Sequence, residues 1–294
     1  MSKGTCFIAI NNKELDYIKF AMFASQQIKK HFKEHKQTAL ITTQPDYEYF
    51  TSTYPVKDIK SVFDYIIIDD HTYTDENMRT HFDTPWTEFD APFHNRQKHD
   101  IYWISPFDQT LLLDIDYIVQ TNHLEYMFSE ENANNLQMFN KATYLCYDSA
   151  PFPERWLHPN GIPMWWSTVI YFKKSPEAKM FFELWSHIAD NYDYYKFLYG
   201  FTGTLFRTDF CVSIALHILN GMQHGDFAEP IVGSMLNMDQ KDVIIQSKSP
   251  ENMHFLAYNR DEPWKNLLVH NEKHDVHCMN KRNLNEIIAG YSVA

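Results

Sequence analysis

Apolar residues in the first third of the chain fall into short runs separated by a helical stripe. TCFIAI (5–10), QTALITT (37–43) and DYIIIDD (64–70) are strand-length runs bounded by polar residues. Between the first two, Leu15, Ile18, Met22, Ser25, Ile28 and Phe32 share one helical stripe, which predicts a helix with that face turned to a core. Asn11, with Glu14 three residues on, resembles a capping box and predicts the start of that helix. Strand, helix, strand, connection, strand is the pattern of a parallel sheet with helices on its faces.

Residues 71–100 break the pattern. Rich in Pro, His, Asp and aromatics and without clear periodicity, they predict a long loop that is either functional or mobile. TLLLDIDYIV (110–119) then supplies the next strong strand, and residues 167–173 another. Ser175 followed by Pro176 predicts a helix start, and RTDFCVSIALHIL predicts a buried helix capped by Thr208. With no internal repeat or low-complexity linker, the expected organisation is one α/β domain with a looser second half.

Composition narrows the function classes. The chain has 294 residues, and its 44% apolar content is ample for a packed core. Lys plus Arg number 26 against 38 Asp plus Glu, and the net charge of −12 opposes the broad phosphate-neutralising surface that duplex nucleic acid requires. Cys6, Cys146, Cys211 and Cys278 form no CxxC, which suits reduced, buried thiols. The chain enters a strand-like run almost at once, and no stretch approaches the roughly 20 apolar residues of a membrane span, so a soluble, cytoplasmic protein is expected. The absence of GxGxxG and of a nucleophile elbow disfavours a dinucleotide oxidoreductase and a Ser or Cys hydrolase.

The chemistry concentrates in TLLLDIDYIV. In an extended chain Asp114 and Asp116 project to the same side while Ile115 turns away. Ligands of open α/β sheets bind at the carboxyl ends of the strands. Two acceptor-only groups placed there repel unless something positive lies between them, and an all-oxygen site favours Mg²⁺ or Mn²⁺ over zinc. The plainer reading is that both aspartates form a turn; their place after several strand-length runs, flanked by apolar residues, favours the metal.

SPFDQTLLLDIDYIV resembles the DxD strand of GT-A fold nucleotide-sugar glycosyltransferases, especially the galactosyl- and glucosyltransferase type with a motif close to YLDxDxLV. Arg96, 18 residues before Asp114, stands near the place where that type carries an arginine facing the nucleotide diphosphate. The opening IAINN stands where those enzymes hold base and ribose. The resemblance spans roughly the first 175 residues and implies a GT-A-like, Rossmann-type, mostly parallel sheet flanked by helices. It implies a single catalytic domain, 1–294, in which 1–120 holds the nucleotide sugar and 121–294 faces the acceptor and carries a C-terminal metal-ligand segment. Residue by residue, it assigns Asp114 and Asp116 to the cation and ribose, and Arg96 to the diphosphate. Ala9, Asn11, Asn12, Ile115, Trp166 and Ser167 are expected to line the donor. Trp165 and Trp166 could form a platform for a sugar ring, with at least one partly exposed.

The same resemblance implies a histidine completing the metal shell. Of His270, His274 and His277, His277 is favoured because Lys281 follows it as a lysine follows the ligand in the relatives, although their KPW ending is absent. Ordinary surface histidines, or a structural zinc on these histidines and Cys278, are the alternatives. The latter is weakened by the missing CxxC and by loop-like surroundings. Asp209 falls where many such enzymes place an acid facing the acceptor. There it would act as a base in an inverting enzyme or hold the donor sugar in a retaining one; a carboxylate that merely suits a helix N-terminus is the plain alternative. The implied ligands are Mn²⁺ or Mg²⁺ and a nucleotide sugar, with UDP-sugar favoured, and an acceptor that is a glycan, a protein or a modified nucleobase.

The DxD strand and MWWSTVIYFKKS also resemble glycosyltransferase-like proteins of large bacteriophages, which would place the protein in a host cytoplasm. Two other functions remain in view. Haloacid dehalogenase-type phosphatases also open on a DxD strand, but as their first strand and with paired aspartates later, whereas Asp69, Asp70 and three strand-like runs precede it here. A non-catalytic sugar-binding protein would need only the aromatics and carboxylates.

Overall fold

The computed structural model describes residues 1–289 apart from 13, 70–77, 85–86, 95–96, 146–160, 202–204, 250–251, 260–261 and 263. The three early apolar runs form strands β1 (Lys3–Ile8), β2 (Thr38–Thr42) and β3 (Tyr65–Ile68). They are joined by helix α1 (Tyr17–His31) and then by α2 (Gln44–Thr53) and α3 (Val56–Val62). The strands pair in parallel, Phe7 opposite Leu40 and Leu40 opposite Ile66. The expected stripe is buried along its whole length, from Leu15 to Phe32. Its one polar member, Ser25, donates its hydroxyl to Val62 O at 2.6 Å, which removes the cost of burying it.

Helix α1 begins later than the Asn11/Glu14 pair predicted. Asn12 Oδ1 accepts from the backbone N–H groups of Glu14 and Leu15, closing a turn, so the helix waits for Asp16, whose Oδ1 accepts from Lys19 N at 3.0 Å. The expected loop at 71–100 differs as well. Among its described residues lie an antiparallel hairpin, β4 (Met78–Thr84) with β5 (Thr87–Pro92), and a short 3-10 turn, after which comes helix α4 (Ile101–Ile104). Strand alternation in β4 turns Arg79 and His81 inward and leaves Met78 and Thr80 outward. Because the inward side is polar, no hydrophobic period announces the strand.

The next strand, β6 (Gln109–Leu113), pairs in parallel with β1 on the side away from β2. It stops at Leu113 instead of continuing through the aspartates. The chain turns, Tyr117 N donating to Asp114 O, and re-emerges as β7 (Tyr117–Ile118) in a second sheet. The two aspartates therefore come together through a turn, not through strand alternation. Strands β8 (Leu136–Phe139), β9 (Ala142–Tyr144) and β10 (Trp166–Lys173) follow, β10 running antiparallel between β6 and β8.

Alternation along these strands sorts the core into two. Phe7, Leu40, Leu111, Leu113, Val169 and Tyr171 face α1. Cys6, Ala39, Ile41, Leu112, Ile170 and Phe172 face the other side, covered by α5 (Pro176–Asp190) and α7 (Thr208–Leu219), which flank the short α6 (Tyr192–Leu198). Trp185, Phe181 and Phe182 of α5 are fully buried there, a single such ring contributing about 2–3 kcal/mol. Ser175 caps α5 as expected, its hydroxyl accepting from Ala178 N, with Pro176 in the first turn. Thr208 does not cap α7; it is the first helical residue, after Arg207.

The remaining strands are β11 (Glu229–Pro230), β12 (Met235–Met238), β13 (Val243–Ser249), β14 (Asn252–Ala257), β15 (Leu267–Glu272) and β16 (Val276–Cys278), before helix α8 (Lys281–Ala289). The central sheet runs β11-β8-β10-β6-β1-β2-β3. A second sheet runs β7-β16-β12-β9, and β13-β14-β15 form a third. The architecture is α/β, with a largely parallel central sheet between helices. No helix among the described residues is long and apolar enough to cross a membrane.

Cys6, Cys211 and Cys278 are buried and form no disulfide among the described residues, burial pushing the Cys6 thiol up to about 12; Cys146 lies outside the described residues. At pH 8 the native protein should therefore yield at most one thiol to a disulfide reagent, and all four once unfolded. Ser175→Ala should lower stability by about 1 kcal/mol, read as a Tm fall of about 2 °C or as an earlier urea midpoint at unchanged m.

Candidate functional site

A cavity opens at the carboxyl ends of β1, β3 and β6, beside the first residues of the antiparallel β10. Asp114 and Asp116 stand at its floor because β6 ends there. Opposite them β16 brings His277, which β12 holds in register with Asn237. Ligand atoms of Asp114, Asp116 and His277 all lie within 4.8 Å of one another, the one such cluster of three metal-ligating side chains among the described residues. His277 thus sits in a buried strand, not in a loop, while His270 is on the exposed face of β15, stacked on His254. The histidines and Cys278 do not gather into a zinc site.

Each aspartate has its own ammonium. Lys98 Nζ bonds Asp114 Oδ1 and also the carbonyl of Ser167, and Lys281 Nζ bonds Asp116 Oδ2. Two acids at this edge therefore tolerate each other through lysines, contrary to the expectation that only a bound cation could lie between them. Asp116 is 3% exposed and also meets His277 Nε2 at 3.5 Å, whereas Asp114 keeps 32% of its side chain open. Burial would raise the Asp116 carboxyl, but Lys281 and His277 outweigh it and hold that group well below the ordinary carboxylate range.

The donor set suits a divalent cation. Two carboxylates and an imidazole match Mn²⁺ or Mg²⁺ better than a thiolate-seeking metal. The far side of the imidazole, Nδ1, is 2.9 Å from Asn237 Oδ1. A proton shared there leaves Nε2, which faces Asp116, as the free electron pair.

The wall beyond the acids comes from β10 and α7. Asp209, in the first turn of α7, accepts from Ser167 N at 2.9 Å and Ser167 Oγ at 2.8 Å. Burial would raise its carboxyl, yet Arg207 and these donors hold it low. A carboxylate so held is a weak proton acceptor. Trp165 and Trp166 are both buried, at 7% and 3%, so neither is the partly exposed platform expected. Just before and at the start of β10 they alternate into the two cores, Trp166 reaching the cavity wall with an indole N–H that has no partner among the described residues.

At the entry end the wall is Ile8, Ile10 and Tyr17, while Ile115 lines the floor. Ala9 is buried in the sheet. Asn11 and Asn12 serve the α1 turn, Asn12 Nδ2 also donating to Pro92 O. Arg96 lies outside the described residues. The cation found beside Asp114 is Lys98, 16 residues before it, a residue that sequence reasoning passed over. Arg79, His81 and Arg207 were also missed; all three line the cavity.

No family model and no curated protein sequence matches the chain. Solved structures similar to it are glycosyltransferases. The glycosyltransferase GlyE of Streptococcus pneumoniae TIGR4 is 12% identical, with a TM-score of 0.43 over 79% of this chain and 45% of that one. Galactosyltransferase LgtC, solved with donor and acceptor sugar analogs, is 11% identical at a TM-score of 0.42 over 72% and 70%. Mouse xyloside xylosyltransferase 1 is 14% identical at 0.45 over 78% and 85%. The chain thus spans less than half the length of the pneumococcal protein. None of these similarities supports a phage origin.

Removing one partner of a buried ion pair leaves the other uncompensated. Lys281→Met should lower the stability of the metal-free protein by about 3–5 kcal/mol, with added Mn²⁺ recovering part of the loss in a thermal melt.

Proposed function

We propose that this protein is a metal-dependent glycosyltransferase whose donor is a nucleotide sugar, with uridine diphosphate sugars as the favoured class. The observation that carries the reading is the convergence of Asp114, Asp116 and His277, within 4.8 Å, at the carboxyl edge of a parallel sheet. Mn²⁺ or Mg²⁺ held by these three would supply positive charge against the diphosphate of the donor.

The protein's own residues do the rest. Lys98 and Lys281 place two further positive charges at the same end of the cavity, where negative charge develops as the diphosphate departs. Ile8, Ile10 and Tyr17 offer an apolar entry suited to a base. Asp209, anchored by Ser167 and held ionised, fits an electrostatic and positioning role toward the transferred sugar better than that of a proton acceptor. The hairpin above the cavity restricts water. Three buried thiols with no disulfide among the described residues suit the reducing cytoplasm.

A dehalogenase-type phosphatase is not favoured, because three parallel strands precede the DxD strand and its first aspartate is engaged by Lys98. A sugar-binding module is not favoured either, since Trp165 and Trp166 are buried.

A panel of nucleotide sugars with Mn²⁺ should raise the Tm with one donor above the rest, which also decides between hexose and pentose. No shift with any donor would refute the reading. Asp116→Asn should abolish transfer with the fold retained by circular dichroism; near-normal turnover would remove the metal role. Asn237→Ala should weaken Mn²⁺ binding by about 10–100-fold, through a misdirected His277.

A further inference from the structure

The charges of the cavity divide unevenly between its two ends. At the floor, two aspartates meet two lysines, Asp114 with Lys98 and Asp116 with Lys281. A divalent cation and the two negative charges of a nucleotide-sugar diphosphate would add to that end and cancel one another. The floor is therefore balanced both with and without its proposed donor.

The Asp209 end is not balanced. Arg79, reaching in from β4, and Arg207, just before α7, line the same cavity, with Asp209 beside Arg207 and its charge, with that of Asp114, acting on Arg79. One oxygen of Asp209 is taken up by Ser167, and the other is 3.7 Å from Arg207 Nη2, long for a hydrogen-bonded ion pair. Arg79 lies 3.9 Å over the ring of Phe93 and, among the described residues, makes no hydrogen bond and no ion pair. Burial and the charge of Arg207 weigh against its protonation more than Asp209 and Asp114 favour it.

Among the described residues, other groups do not make up the difference. Asp69, the fourth acid of the wall, follows β3, four strands across from β10 and so about 19 Å away at ordinary strand spacing. His81 is driven neutral, to about 4, by burial and by Lys281 and Arg79, so it adds no charge. Two partly desolvated guanidiniums whose nearest carboxylates, Asp209 and Asp114, are already engaged by Ser167 and Lys98 are a poor arrangement in the absence of ligand. An anion brought by a substrate would use their free donors.

We propose that the second substrate carries an anionic oxygen group, a phosphate or a carboxylate, which binds between Arg79 and Arg207 beside Asp209. The assignment rests on the glycosyltransferase reading and names its acceptor class. Arg79 is held for the task by the hairpin, which is itself fastened to α8 through Arg282 over Phe89 and Lys281 over Phe93. Arg207, partly open and stacked on Phe210, sits on the opposite lip. The fork of a guanidinium matches two oxygens of either anion, so the shared chemistry is the oxyanion and the two sources are separated by experiment.

The test is calorimetric titration of the protein saturated with Mn²⁺ and UDP, using glucose 6-phosphate, glucuronate and glucose as probes. Either anionic sugar should bind at least about tenfold more tightly than glucose. The tighter of the two identifies phosphate or carboxylate. Arg207→Gln and Arg79→Met should each remove that preference while UDP affinity stays within about twofold, and Arg79→Lys should restore part of it. Glucose binding as well as both anionic sugars, or an anion preference that survives both substitutions, would overturn the proposal. Should Arg79→Met fail to fold, Arg207→Gln, a substitution at a partly exposed side chain, decides alone. Failure of UDP itself to bind the wild type would instead refute the donor reading.

Discussion

A carboxylate that is 3% exposed must be compensated, and the compensation of Asp116 reaches across most of the chain. Lys281 opens the last helix, His277 sits in the last strand, and Asp116 ends the turn that follows β6. Burying such a charge without partners would cost several kcal/mol, a large part of the stability of an ordinary domain. The second sheet is consequently tied to the first at this point, with Cys278 N donating to Asp116 O and β16 pairing with β7. What looks like a ligand site is also the junction at which the two halves of the fold meet.

The junction sets the rest of the cavity. Since β6 must stop for the turn, β10 can run antiparallel beside it and present Ser167 toward both Lys98 and Asp209. Ser167 thus links the floor to the far lip through its carbonyl, amide and hydroxyl. The same alternation that sends Trp165 and Trp166 into separate cores makes Ser167 available there.

Most of the central sheet was readable from apolar runs, because parallel strands buried on both faces are continuous in hydrophobicity. The α1 stripe and the Ser175 cap were readable for the same kind of reason, each resting on a short-range period or a local hydrogen bond. The β4–β5 hairpin was not, since Arg79 and His81 occupy the positions where a pattern reader looks for apolar residues. Asp16 was hidden by two asparagines with equally good capping chemistry. Lys98 and Arg207 carried no signal at all: a lone cation in sequence is indistinguishable from a surface charge until the fold puts it beside an acid. His277, by contrast, was singled out in sequence only through a resemblance, and the fold brings its ring within 4.8 Å of the carboxylates of Asp114 and Asp116.

The difference between the two aspartates follows from the same geometry. Asp116 is enclosed, with one oxygen bonded by Lys281 and the other 3.5 Å from His277 Nε2, so its position is fixed by the protein. Asp114 is one-third open, has one oxygen in contact with Lys98 and lines the cavity. A ligand therefore meets one rigid acid and one accessible acid. The accessible one can exchange its ammonium for another positive partner without disturbing the junction, because Lys98 keeps the carbonyl of Ser167 as a second acceptor. Enclosing one carboxylate and exposing its neighbour lets the site gain or lose a bound charge while the contact between the sheets persists.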